Sequence, residues 1–561
     1  MAKKLKLSIK SLETLFKVMA PFFLGDKRKQ AWFFLALLMG MLIMVSAVGV
    51  AQSFVARDFI NALSRHDAPA FYRTSVLYAI ALACATLIAV FYRYTEERLA
   101  LLWREWMTSR LIHRYFTARN YYRLRWKEEV DNPDQRIAED VKNFTATSLS
   151  LFLILINSII TLFAFIGVLA SISMNLVWSL VLYTIVGTYL TMKVGRKLVR
   201  IHNRQYSREA NFRYGLVRVR DNAESIAFFR GERREKLDLG HRFKGLVRNT
   251  RFLISWNRNL NIFTTGYNNF SLILPVLVIA PEFLKGNMEI GTVTQAAGAF
   301  AQVLAASSVL ITQFERVSAY VAGVTRLDLL WNEVNRLPDD DEPPISVEEG
   351  AKLVLTKLTI RPPNSERELV KELSLKLKPG TGVIIMGPSG TGKSSILRTI
   401  AGLWDSGEGA IQRPNYRDMM FLPQKPYMPY GSLRTQLLYP YRERSDYDKQ
   451  LAKVLKLVNL ENITKRVDGR LETVMDWGNI LSLGEQQRVS FARLFLWEPK
   501  ISFLDEATSA LDEENEKSLY SLMRKMNFSF ISVGHRSTLH AYHDFVLTLE
   551  EGGKWSMDPV K

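Results

Sequence analysis

The chain has 561 residues, more than one domain of ordinary size holds, so a single small fold is excluded. Its 31 Phe, 21 Tyr and 11 Trp rule out disorder over most of the length, and a lone cysteine, Cys84, rules out an internal disulfide or a thiolate metal cluster. The 74 Lys and Arg exceed the 55 Asp and Glu, and the resulting +19 suits either an anionic membrane surface or a nucleic acid, depending on where it gathers.

In chain order, a basic head (KKLKLSIK) comes first and leads into SLETLFKVMAPFF. Leu12, Leu15, Phe16 and Met19 recur there at helical spacing, which fits an amphipathic helix on a membrane face and equally an ordinary packed helix. Six stretches then reach the roughly 20 apolar residues that cross a bilayer as a helix: 31–55, 76–94, 149–172, 176–194, 262–280 and 294–312. The first is longer than the apolar core of a signal peptide, so it reads as a retained anchor. Basic residues crowd the connections 93–142 and 193–258, which places the N-terminus, both connections and everything after the sixth stretch in the cytoplasm. The positive excess is then a topology signal, and no nucleic-acid-binding motif accompanies it.

Both basic connections are too long for bare loops. The spanning helices are therefore expected to run on into the cytosol and turn at elbows, 131–136 and 221–231. Along the sixth stretch Gln295, Gln302 and Gln313 fall on one line, which either lines a transport path or joins helices. The fifth carries Thr264, Thr265, Tyr267, Asn268 and Asn269, a polar cluster that at such depth must face protein or water. A path wetted by amides and hydroxyls favours a hydrophilic cargo. The acidic, Pro-rich segment 337–350 reads as a linker, and beyond it short apolar runs alternate with helical patterns as in an α/β domain with a largely parallel sheet. The expected division is an N-terminal segment 1–30, a membrane domain 31–336, a linker 337–350 and an α/β domain 351–561.

The α/β part carries the chemistry. After the run TGVIIMG, the residues Gly387, Pro388, Ser389, Gly390, Thr391 and Gly392 lead into Lys393, Ser394 and Ser395, a match to G-x-x-x-x-G-K-[ST]. Such a loop turns backbone N–H groups toward phosphate oxygens, and the following helix presents its positive end to the same anion. Lys393 is placed to neutralise the β- and γ-phosphates, and the Ser394 hydroxyl to ligate Mg²⁺. The run ISFLDE ends in Asp505, suited to the Mg²⁺ shell, and Glu506, suited to polarising an attacking water.

Between these lies LSLGEQQR, which resembles the signature motif of ATP-binding-cassette ATPases, LSGGQ in most members. The other cassette elements stand in family order: phosphate loop, Gln424 in FLPQKP, signature, ISFLDE, SALD ending in Asp512, and His535 in SVGHR. The resemblance implies two cassettes closing head to tail, with each ATP held between one phosphate loop and the opposite signature residues Ser482, Gly484 and Glu485. It also implies that Gln424 meets Mg²⁺ or water and that His535 meets the γ-phosphate. Leu483 departs from the usual glycine, and Arg361 stands where the family commonly stacks a tyrosine on adenine, a contact a planar guanidinium can also make.

In the membrane half, NPDQRIAEDV and NAESIAFFRGERREK resemble the cytoplasmic elements of the peroxisomal subfamily D transporters, and with LSLGEQQR they resemble the bacterial SbmA/BacA-like, ATPase-fused group more closely. The resemblance implies a polytopic, exporter-like membrane domain of six spans followed by an α/β P-loop ATPase domain. The chain would be a half-transporter working as a homodimer in a bacterial inner membrane, with ATP and Mg²⁺ and no nucleic-acid partner. The cargo implied is a hydrophilic solute such as a peptide or cobalamin-like compound, taken up. Fatty acid, acyl-CoA, lipid or drug export, and an ATP-gated channel or regulator, remain the alternatives.

Overall fold

The computed structural model describes residues 9–126, 130, 132–309, 313–335, 345–363, 365–441, 447–466 and 470–560, apart from some helix side chains, chiefly 9–15 and 191–200. The chain forms two compact units, and each is described by itself.

The first unit is helical. Counting helices of at least six residues, it holds α1 (Ile9–Leu24), α2 (Arg28–Ser64), α3 (Ala68–Phe116), α4 (Val141–Ile172), α5 (Met174–Asp221), α6 (Ala223–Phe228), α7 (Glu232–Leu284), α8 (Ile290–Ser307) and α9 (Phe314–Asn335). The helices α3, α5 and α7 have 49, 48 and 53 residues. At 1.5 Å per residue each is on the order of 75 Å long, more than twice the roughly 30 Å hydrocarbon core, so they continue far outside it. Among the described residues four helices are long and apolar enough to cross a membrane. These are α2, α3 and α7, and α4 with the turn that leads into it. The apolar part of α5 is the shorter stretch Met174–Leu190.

The second elbow falls where the sequence places it, with α6 between α5 and α7. Asp131 lies outside the described residues, and the first turn begins earlier than expected. Ala118 and Arg119 adopt positive φ and break α3. The residues that follow, Tyr122, Arg123 and Trp126, belong to the second unit despite their position in the expected membrane domain.

Packing within this unit decides three questions the sequence left open. Phe22 of α1 is fully buried and stacks on Trp103 at 5.5 Å, so α1 is anchored by ordinary packing through Val18 and Phe22 while Phe16 is exposed. Gln295 is buried and donates to Ser53 Oγ on α2 at 3.2 Å, whereas Gln302 is exposed. The helix ends at Ser307, short of Gln313, so the glutamines do not form one stripe, and Gln295 joins helices. Tyr267 stacks on Tyr183 of α5 at 4.3 Å and donates to its carbonyl at 3.0 Å, which removes it from any open path.

Among the described residues the second unit contains ten main strands: β1 (Ile345–Glu349), β2 (Val354–Ile360), β3 (Val370–Lys376), β4 (Gly382–Met386), β5 (Gly407–Arg413), β6 (Met419–Leu422), β7 (Ile501–Asp505), β8 (Ser529–Val533), β9 (Phe545–Leu549) and β10 (Trp555–Pro559). One sheet runs β1-β5-β2-β3 and the other β10-β9-β4-β8-β7-β6. In the second sheet every pair is parallel except the β9–β10 hairpin at one edge. β1 corrects the expected linker 337–350: Ile345 is buried and the strand pairs with β5 in register Ile345↔Gly409, while 337–344 lie outside the described residues.

The central strands read as unbroken apolar runs because both faces are covered. Val383 and Ile385 enter one core with Phe503, Ile531 and Leu547; Ile384 points to the other, with Leu504 and Phe530. The carboxyl ends of β4, β7 and β8 therefore lie side by side, where ligands bind in open α/β sheets.

Candidate active site

The phosphate loop leaves β4 at Gly387, whose φ is +141° and where a Cβ would stand 2.3 Å from the Leu549 carbonyl oxygen. Only glycine fits that combination. The loop closes at Gly392, again left-handed at φ +101°, as the N-cap of α10 (Lys393–Ile400). Lys393 is buried and folds back to donate to the carbonyls of Gly387 and Pro388, both at 2.8 Å; Thr391 Oγ1 also donates to Pro388, at 2.9 Å. Burial pulls the Lys393 ammonium below its ordinary pKa, and the carboxylates of Glu506 and Asp505 oppose that shift. Ser389 and Gly390 border a cavity of about 610 Å³ together with Glu368, Leu369 and Glu550, and Ser395 is buried at the start of α10.

Parallel pairing of β8 with β7 sets Val533 beside Asp505 and carries the two strand ends to the loop. The Ser394 hydroxyl donates to Asp505 Oδ1 at 2.6 Å. Glu506, at φ +50°, turns away from the strand; Gln424 Nε2 donates to its Oε2 at 2.8 Å and His535 Nε2 lies 3.5 Å from its Oε1. The structure thus brings together Lys393, Ser394, Gln424, Asp505, Glu506 and His535 from four separate segments. Arg536, next to His535, donates to the carbonyls of Ser509 and Leu511 and to Glu516, fixing the turn after Glu506.

The signature residues open the helix α13 (Leu483–Trp497; α11 and α12 are Leu433–Leu438 and Asp448–Leu457). Ser482 is its N-cap in a reciprocal box: Glu485 N–H donates to Ser482 Oγ at 3.3 Å, and Ser482 N–H donates to Glu485 Oε2 at 2.9 Å. Burial raises the Glu485 carboxyl, but Arg466 at 2.6 Å and the Ser482 amide and hydroxyl outweigh it and hold the group below its ordinary value. Leu483 points outward, and Gly484 lies so close to the 510 turn that a Cβ would sit 2.8 Å from the Ala510 carbonyl oxygen. Arg361 Nη2 bonds Glu368 and Glu408, each at 3.0 Å, and those bonds raise its pKa.

Sequence reasoning passed over Gln487. It is fully buried, and its amide joins Gln424, Ser509 and Ala510. The signal available was a glutamine three residues after Gly484, on the side of the signature helix that meets the 510 turn.

A loop of backbone donors, a lysine, a hydroxyl paired with a carboxylate and a second carboxylate held by an amide and an imidazole are the groups that nucleoside-triphosphate hydrolysis calls for. The chain matches the family "ABC transporter transmembrane region 2" over residues 18–284 and "ABC transporter" over residues 370–509. It is 42% identical over 95% of its length to an uncharacterized ABC transporter ATP-binding protein of Synechocystis, covering 83% of that protein. It is 31% identical to the human lysosomal cobalamin transporter ABCD4, over 99% of this chain and 97% of that one. The fold is that of a bacterial Atm1-family ABC exporter solved with ATP bound, at a TM-score of 0.75 and 20% identity over 92% of this chain and 94% of the other. The chain belongs to the ATP-binding-cassette transporters: a membrane-spanning helical region joined to a cassette that binds ATP and couples its hydrolysis to transport.

Proposed function

We propose that this transporter is a six-span half-transporter that works as a homodimer in a bacterial inner membrane and takes up a large hydrophilic solute, a cobalamin-like compound or a peptide. The observation that carries the cargo reading is the lining of α7. Asn257, Arg258, Asn261 and Thr265 border a cavity of about 630 Å³, and Arg248, Arg251 and Ser255 of the same helix border a second of about 420 Å³. Amide, hydroxyl and guanidinium groups spaced along one helix beside these cavities suit a solute with many hydrogen-bonding groups. The end-to-end likeness to the lysosomal cobalamin transporter supports the same reading. A second reading, an amphipathic organic anion such as acyl-CoA, is favoured by the arginines: among the described residues no carboxylate pairs with Arg248, Arg251 or Arg258.

In the cassette, the phosphate loop and Lys393 bind the β- and γ-phosphates, and Arg361, its two carboxylate bonds running through one edge, offers its guanidinium face to adenine. Ser394, Asp505 and Gln424 form the oxygen donor set that a hard cation prefers, and Mg²⁺ bound there would supply charge neutralisation at the phosphates. Among the described residues no cluster of three His, Cys, Asp or Glu could hold a metal alone, so the remaining positions fall to phosphate oxygens and water. Glu506 accepts a proton from the attacking water, oriented by Gln424 and His535. Ser482, Gly484 and Glu485 meet the nucleotide of the second copy.

Transport into vesicles of both orientations tests the cargo reading, with labelled cobalamin, peptide and acyl-CoA and with hydrolysable or non-hydrolysable ATP. ATP-dependent accumulation of cobalamin or peptide is expected. Accumulation of acyl-CoA alone selects the second reading, and movement that only equilibrates a solute makes the protein a channel.

A further inference from the structure

Gln487 lies in the first turns of the signature helix with no exposed surface. All of its amide bonds reach the loops that carry the catalytic groups. Nε2 donates to the Gln424 carbonyl at 2.9 Å and to Ser509 Oγ at 3.2 Å, and Oε1 accepts from the Ala510 N–H at 3.0 Å. A buried amide without partners is costly, so these bonds hold the two loops to α13 rather than decorate them.

The consequence reaches Glu506 from both sides. Gln424 is exposed, and its side chain finds Glu506 only because its backbone is held in place. Ser509 N–H donates to the Glu506 carbonyl at 3.1 Å, closing the turn that orients the carboxylate. One side chain therefore spans three segments separated by 63 and 22 residues. Glutamine is what the place requires: a donor and an acceptor on the same long arm. Glutamate lacks the donor, leucine lacks both, and asparagine is one methylene short.

We propose that Gln487 is a positioning residue for ATP hydrolysis, clamping the Gln424 loop and the 509–510 turn to the signature helix so that the Gln424 amide and the Glu506 carboxylate meet the attacking water together. It acts through the Gln424 loop and the 509–510 turn and does not touch nucleotide.

The test measures steady-state ATPase and equilibrium ATP binding on the full-length protein in lipid for Q487L, Q487E, Q424A and the double variant Q424A/Q487L. Q487L is expected to lower kcat about ten-fold or more while KM and the ATP dissociation constant stay within two-fold. Q487E, which keeps the acceptor for Ala510, is expected to fall between Q487L and the parent. Because the two glutamines act in series, Q424A/Q487L is expected to be no more than two-fold slower than the slower single variant. A Q487L enzyme at parental kcat, a loss confined to KM, or a double variant whose loss is the product of the single losses overturns the proposal. Should Q487L not fold, Q487E and S509A carry the same comparison against Q424A, with the same outcomes for and against.

Discussion

Both carboxylate oxygens of Glu506 are engaged, one by Gln424 and the other facing His535, on a backbone held at a positive φ that a non-glycine residue adopts only under constraint from its surroundings. That constraint suits the proposed general base: a fixed acceptor beside the phosphate loop. Glu506→Gln is expected to retain ATP binding and lose hydrolysis by about 10²–10⁴-fold, read as phosphate release against bound nucleotide. Lys393→Ala is expected to act earlier, weakening binding itself, because it removes the charge and also the two bonds that shape the loop. His543 gives the cassette a pH dependence. Burial lowers its pKa to about 4, while its ring bonds Ser532 and the Leu539 carbonyl. Unfolded, it takes up a proton near pH 6.5, so its stabilising contribution is complete above that value and is lost as the pH falls toward 4, roughly 3 kcal/mol in all. Asp544, held low by Arg524, adds a loss of the same sign further down. His543→Asn is expected to flatten the slope of unfolding midpoint against pH between 6.5 and 4, and an unchanged slope removes His543 as its source.

Among elements, α8 starts in close backbone contact with α2. Gly291 N–H donates to Asn61 Oδ1 at 2.8 Å, and a Cβ on Gly291 would lie 2.3 Å from the Arg57 carbonyl oxygen. Backbone gives way less readily than a side-chain tip, so Gly291→Ala is expected to cost the unit about 1–3 kcal/mol, seen as a lower thermal midpoint in detergent with cassette unfolding unchanged. A second tie joins the short π-helical turn Arg136–Asp140 to α9. Arg136 donates to the Arg326 carbonyl at 2.6 Å, and Arg326 forks onto the buried Asp140 at 2.8 and 3.1 Å. Removing one partner of such a pair strands the other, which makes Arg326→Ala more disruptive than its half-exposed position suggests.

At the scale of the whole molecule, the proposed mechanism needs a second copy, because the signature residues of one cassette serve the nucleotide of the other. Full-length Glu506→Gln protein with ATP is expected to sediment as two chains and to lose that association in Lys393→Ala. A strictly monomeric protein hydrolysing ATP at the full rate would sink the homodimer. Labelling separates the glutamines of α8 in the assembled transporter: Gln302→Cys is expected to react with a thiol reagent and Gln295→Cys to stay protected by α2, with Cys84 replaced beforehand because it is exposed.

The cassette was largely legible in the residues alone. A phosphate loop, the strand ISFLDE and the signature helix each depend on local chemistry: glycines for positive φ, an apolar run for a strand covered on both faces, and a serine and glutamate three apart for a cap. Membrane insertion was equally local, since a bilayer reads composition over about 20 residues. What neighbours decide was not legible. β1 hides in a Pro-rich linker because its strand character comes from pairing with β5. Gln295 and Gln302 share a helix and a residue type, yet only packing against α2 makes one of them glue. Gln487 is one of two adjacent glutamines, and its importance exists only once two distant loops meet around it. Residue chemistry and short-range geometry are written in sequence order; burial and long-range partnership arise when the chain closes on itself, and they belong to the tertiary structure.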